Sequence, residues 1–184
     1  MRQRCLFSCL PAFIAVVAIA GIAPCAVAAQ PPVSVAHSLD WLAGHWNVRQ
    51  SFWTDAAKPP AIDTGSAVFT SVLEGRHLRQ ELTIASAKPF HGLGYLGYDD
   101  AAGRFDSLWM DVNFGGVMLA HGGCDAGRRS CTFLGTMSGT HGDVPVPVRE
   151  VMQIDDADHF SYAYYERHGG REVLTVKLDY VRLK

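Results

Sequence analysis

Trp109 and Asp111 stand two residues apart in Phe105-Asp106-Ser107-Leu108-Trp109-Met110-Asp111. In an extended chain that spacing puts both on one face, with Phe105 and Ser107. A carboxylate beside an indole on an inward face needs a donor or a cation for company. So placed, it could orient a ligand or move a proton. Arg76, Arg79 and Arg149 are the cations at hand, and Arg149 is the one expected to neutralise Asp111. Tyr98 lies across the adjoining turn, which completes a candidate ligand-binding set of Tyr98, Trp109, Asp111 and Arg149. Glu81 is a further internal acid, with Arg79 or Arg149 as partner. The competing reading of these residues is structural, an aromatic packed over an arginine and a carboxylate held by it.

Other chemistry is thin. There is no G-x-S-x-G elbow, no H-E-x-x-H zinc helix and no glycine-rich phosphate loop opening a helix. Gly92-x-Gly94-x-x-Gly97 matches a dinucleotide fingerprint by letters, but it falls within a strand, where glycine marks close approach of a neighbour. The eight histidines form no i,i+2 or i,i+4 pair of metal-ligand type. No cofactor is expected. The alternative is haem held in an apolar barrel by one histidine, with His91 or His121 as the ligand. Cys124 and Cys131 flank Asp125-Ala126-Gly127-Arg128-Arg129-Ser130, a hairpin tip, and are expected to form a cross-hairpin disulfide. A metal site built from His121, Cys124, Cys131 and His141 competes, but no C-x-x-C spacing supports it.

The elements that must position these residues are strands. After a capped turn at Ser38-Leu39-Asp40-Trp41-Leu42-Ala43, ended by Gly44, no helix is convincing. About ten strand-like segments follow, at 46–54, 64–73, 76–86, 92–99, 105–112, 116–122, 130–137, 147–154, 159–167 and 172–183. Turn signals separate them, among them Lys58-Pro59-Pro60, Lys88-Pro89, Gly115-Gly116 and Gly169-Gly170. Sequential hairpins at this spacing imply an antiparallel up-and-down sheet, and closure into a barrel removes its exposed edges. In the last two strands Phe160, Tyr162, Tyr164 and Glu166, and Leu174, Val176, Leu178 and Tyr180, occupy single faces.

Two features carry a resemblance. Gly44-His45-Trp46, just before the first strand, is similar to the Gly-x-Trp opening of lipocalin-like (calycin) barrels. Leu73-Glu74-Gly75-Arg76, the segment Pro89 to Asp99 with its Leu96-Gly97-Tyr98-Asp99, and Trp109-x-Asp111 resemble domain-of-unknown-function family 1579, a bacterial family grouped with the calycins. The resemblance spans nearly all of residues 29–184. It implies an all-β, antiparallel, calycin-like barrel with an internal cavity and a short N-terminal helical plug, in which Trp46 packs across the barrel base. It implies no reaction.

The N-terminus reads as an address. Arg2 and Arg4 precede an apolar run from Ala12 to Ile22, and Ala26-Val27-Ala28 fits a secretory cleavage site before Ala29. The expected organisation is a signal peptide over 1–28, a flexible lead-in over 29–37 and a barrel domain over 38–184. Export implies a periplasmic or secreted protein with no membrane insertion after cleavage. Removing Arg2 and Arg4 from the 16 Lys and Arg leaves 14 against 18 Asp and Glu, a formal charge of −4. With no basic stripe, a nucleic-acid partner has no electrostatic support. The leading reading is a non-enzymatic barrel that binds a small apolar or amphipathic ligand. The alternatives are a barrel enzyme using Asp111, Glu81 or haem, and an interaction module with a filled core. Oligomeric state is left open.

Overall fold

Alternation along each segment makes it a strand, and the turn residues between make every strand pair with the next. The structure, a computed structural model, describes residues 35–138 and 144–184, with the side chain of Phe114 left aside. The segment expected to be a signal, most of the lead-in and His141 lie outside the described residues. Ten strands follow one another: β1 (Gly44–Phe52), β2 (Ala61–Val72), β3 (His77–Ile84), β4 (Phe90–Asp99), β5 (Arg104–Asp111), β6 (Phe114–Cys124), β7 (Ser130–Met137), β8 (Val146–Ile154), β9 (His159–His168) and β10 (Arg171–Arg182). Each is antiparallel to its sequence neighbours, and β1 pairs with β10 from Trp46↔Arg182 to Phe52↔Val176. The sheet is therefore a closed barrel with no free edge.

The expected helical turn is present in a different form. Two single-turn 3-10 helices, Val35–His37 and Asp40–Leu42, precede β1. Ser38 does not cap the second, because its hydroxyl donates to the Val35 carbonyl (2.7 Å). Leu39 and Leu42 enter the barrel end and are buried there. Trp46 is fully buried above them and donates its indole N–H to the Leu42 carbonyl (2.8 Å). Phe160 meets Trp46 edge-on at 4.8 Å and stacks on Tyr180 at 4.1 Å. Arg182 closes this end: its guanidinium lies 4.1 Å over the Trp46 ring and donates to the carbonyls of Ala43 and Trp41. A tryptophan under an arginine is thus a packing device here, at a pair of residues other than those first considered.

Gly115 and Gly116 prove not to be a turn. The β5–β6 turn is Val112–Asn113, and both glycines lie within β6, where the register slips between Trp109↔Met118 and Asp111↔Phe114. Glycine tolerates such an irregularity, which bends the strand beside the barrel mouth. Cys124 and Cys131 sit directly opposite in the β6–β7 register and form a disulfide.

Candidate functional site

Inward-facing residues change character along the barrel axis. On β5 the inner series runs from Phe105, buried at the plugged end, through Ser107 and Trp109 to Asp111 at the mouth. On β9 it runs from Phe160 through Tyr162 and Tyr164 to Glu166. The plugged half is filled, whereas the half toward the mouth encloses a cavity of about 560 Å³. That size suits a small organic molecule.

Trp109 and Asp111 both line this cavity, as their two-residue spacing requires. The indole N–H of Trp109 donates to Asp111 Oδ2 (2.9 Å), and the Asn113 amide donates to Oδ1 (2.8 Å). Asp111 is thus held by neutral donors of its own strand and turn. The Trp109 ring lies almost parallel to Phe90 of β4, 6.5 Å away. It also lies flat against Gly92 and Gly94, which pair with Asp111 and Trp109. A Cβ at Gly92 would come within 2.2 Å of the ring, and one at Gly94 within 3.0 Å. Two glycines two apart therefore provide the shelf on which this indole rests.

The other two residues of the candidate set are elsewhere. Tyr98 faces inward but belongs to the plugged end, where it packs edge-on against Phe105 at 5.0 Å. Arg149 is on the outer face of β8. Its guanidinium forms a two-pronged pair with Glu172 (2.9 and 2.6 Å) and lies 4.0 Å over the Tyr165 ring, and the Glu172 carboxylate raises its pKa further. It cannot neutralise Asp111. The reason is facing: even positions of β8 point in, and a strand's side chains reverse with every residue. Glu81 is also outside, paired with Arg79 at 2.8 Å.

The acid that reasoning from sequence missed is Glu150. It follows Arg149, is 1% exposed and lines the cavity. The signal was present in parity. Val146, Val148, Met152 and Ile154 share a strand face with Glu150, so a lone carboxyl interrupts an otherwise apolar series. Burial pushes its pKa from the usual value of 4.5 up to about 7, and hydrogen bonds with Tyr162 and Ser107 offset that only in part. Ser107 lies one inward step below Trp109, which puts Glu150, Ser107 and Tyr162 at the cavity floor. Burial and the Glu150 charge together raise the Tyr162 pKa well above its usual value. Tyr164 is raised too, by burial first and then by the charges of Glu166, Glu150 and Asp111, while its hydroxyl donates to Met137 Sδ (3.0 Å). The tyrosines are therefore hydroxyl donors at neutral pH, and Glu150 is the internal group able to exchange a proton there.

The histidines considered as haem ligands do not reach the cavity. His91 is on the outer face, 3.3 Å from Thr83 Oγ1, and His121 is outside against Asp106 at 2.6 Å. No histidine is among the described lining residues, so haem ligation by either does not fit this chain. Nor do the described residues contain a group of three or more His, Cys, Asp or Glu able to hold a metal ion.

The barrel has relatives. The sequence profile of a family described as "Protein of unknown function (DUF1579)" matches residues 32–182. The fold is similar to that in the crystal structure of Rv2717c from M. tuberculosis, with a TM-score of 0.64 and 16% identity, covering 83% of this chain and 99% of that one. At that identity the likeness concerns the fold alone. A redesigned beta barrel matches at a TM-score of 0.47 and 12% identity, covering 83% of this chain and 100% of that one. That second likeness is too distant to carry an argument. No curated protein matches the chain.

Proposed function

Since the chain belongs to DUF1579, a family whose description names no reaction, we propose that it binds a small apolar or amphipathic molecule inside its barrel. One observation carries this reading: the half of the barrel toward the mouth keeps about 560 Å³ open, while the other half is packed with aromatic rings. Natural cores close such voids, because an unfilled space forfeits dispersion contacts on every wall. Trp109, Phe90 and Leu178 supply apolar wall, and Asp111, Gln80 and Glu150 are the few polar groups that would orient a guest. Titration of the protein with nile red, followed by dye emission and Trp quenching, tests it. The expected result is saturable binding at one site, weakened by Trp109→Leu without loss of the fold. A linear, unsaturable signal would refute the reading.

A second reading, a barrel enzyme, is favoured by Glu150 alone. An acid with a pKa of about 7 inside an apolar cavity is poised for proton transfer. Asp111 is tied to two neutral donors at the mouth, and Glu81 lies outside the barrel, paired with Arg79.

The same proposal includes export. The basic start, the apolar run and Ala26-Val27-Ala28 support signal cleavage before Ala29 and a periplasmic or secreted domain. The Cys124–Cys131 disulfide suits such a compartment. N-terminal sequencing that still finds Met1 would refute it.

A further inference from the structure

The described cavity residues have an uneven charge pattern. Asp63 from β2, Asp111 from β5, Glu150 from β8 and Glu166 from β9 all line it, against a single cation, Lys88. Two of these acids already have partners: Asp111 accepts from Trp109 and Asn113, and Glu166 lies 2.7 Å from His168. Glu150 differs. It is the most deeply buried of the four, and its Oε2 has no hydrogen-bond partner among the described residues. The guanidiniums that could have served it point outward and are committed, Arg149 to Glu172 and Arg79 to Glu81. A buried carboxylate is tolerated when a cation or a full set of donors faces it; here the floor supplies the Tyr162 and Ser107 hydroxyls but no cation, and Oε2 is left without a partner.

We propose that the ligand is an amphipathic organic amine, whose ammonium donates to Glu150 Oε2 while its apolar part lies along the Trp109 wall. This rests on the binding reading above and names its ligand class. The aromatic lining suits the same guest, because Trp109, Tyr162 and Tyr164 all border the cavity and aromatic rings attract a desolvated cation. An anionic amphiphile would meet four acids and one lysine. A neutral guest would gain the apolar walls but no ion pair at the floor.

Three probes of equal chain length separate these cases: decylamine, decanol and decanoate, each below its micelle concentration. Their affinities for the purified protein are measured by calorimetry at pH 8, where Glu150 is mostly ionised and an alkylamine is protonated. Decylamine is expected to bind at least about tenfold more tightly than decanol, the margin of a charge-assisted hydrogen bond, with decanoate weakest. Glu150→Gln should bring decylamine close to decanol and leave decanol unchanged. Equal binding of decanol, or tighter binding of decanoate, overturns the amine while leaving the cavity reading intact. Binding of none overturns both. An amine preference that survives Glu150→Gln removes Glu150 as its cause. Should that variant fail to fold, the ranking of the three probes on the unmodified protein still decides.

Discussion

The two ends of this barrel are built from the same alternating strands and come out differently. At the plugged end the inner positions carry Trp46, Phe69, Phe160 and Tyr180, whose rings interlock at centroid distances of 4.1–6.4 Å and leave no room. Toward the mouth the inner series turns to Gly92, Gly94, Ser107, Asp111 and Glu150, and the space stays open. The largest residue there, Trp109, lies flat on the glycine shelf instead of crossing the lumen. A packed core and an open cavity are thus separated along one axis. The plug supplies the interlocked rings, and the cavity holds a buried carboxyl that a packed core would not accommodate.

That separation can be broken by mutation, and the largest effect should come from the plug. Trp46→Ala removes a fully buried indole and is expected to cost about 3–5 kcal/mol in urea unfolding. Trp109→Ala, at a partly exposed ring beside open space, should cost less than half of that. Equal costs would mean that the mouth half is as tightly packed as the plug.

Next in size is the pH response of Glu150. Its pKa is raised in the folded barrel, so the unfolded chain ionises first. The contribution of Glu150 to stability should therefore be highest below about 4.5, fall as pH rises toward 7, and level off beyond. The shift is equivalent to about 3 kcal/mol. Glu150→Gln should gain that amount on the native protein between pH 4.5 and pH 8, in a series of urea curves. Parallel pH profiles for the two proteins would deny that Glu150 is buried at the floor.

The shelf gives a smaller and more local effect. Gly92→Ala forces the Trp109 ring away from the strand, at about 1–3 kcal/mol for an overpacked site, with a change in near-UV circular dichroism. Gly115→Ala, where a Cβ would meet nothing within 4 Å, is the control and should leave that spectrum alone. The smallest effect belongs to Arg149→Ala. An ion pair on the outer face contributes about 1 kcal/mol or less, and decylamine affinity should not move. A change in affinity would place Arg149 at the cavity after all.

Much of this was legible from residue order. Ten strands and their antiparallel succession follow from turn residues and alternation, which act locally, and the plugging tryptophan was implied by the resemblance that Gly44-His45-Trp46 carries. The pairing of Cys124 with Cys131 follows from a short hairpin in the same way. The facing of β5 was legible too, because Phe105, Ser107, Trp109 and Asp111 contrast clearly with their neighbours. The facing of β8 was harder to read, since Arg149 and Glu150 place a charge on each face in succession. The apolar series around Glu150 carried the answer, but a buried acid runs against the expectation that charges face water.

What the sequence by itself determined is therefore the succession of strands and the face shared by Trp109 and Asp111, set by period-2 geometry and turn chemistry, with the closed end implied by the resemblance. Only the tertiary structure decided that Glu150 Oε2 is left without a partner, that Arg149 is spent on Glu172, and that Gly92 and Gly94 hold an indole beside an open cavity. Those outcomes depend on which residues meet when strands are brought side by side and across the lumen, the indole on β5 against the glycines of β4 and Arg149 of β8 against Glu172 of β10. Such meetings are set by the curvature and register of the whole sheet, and no single strand contains them.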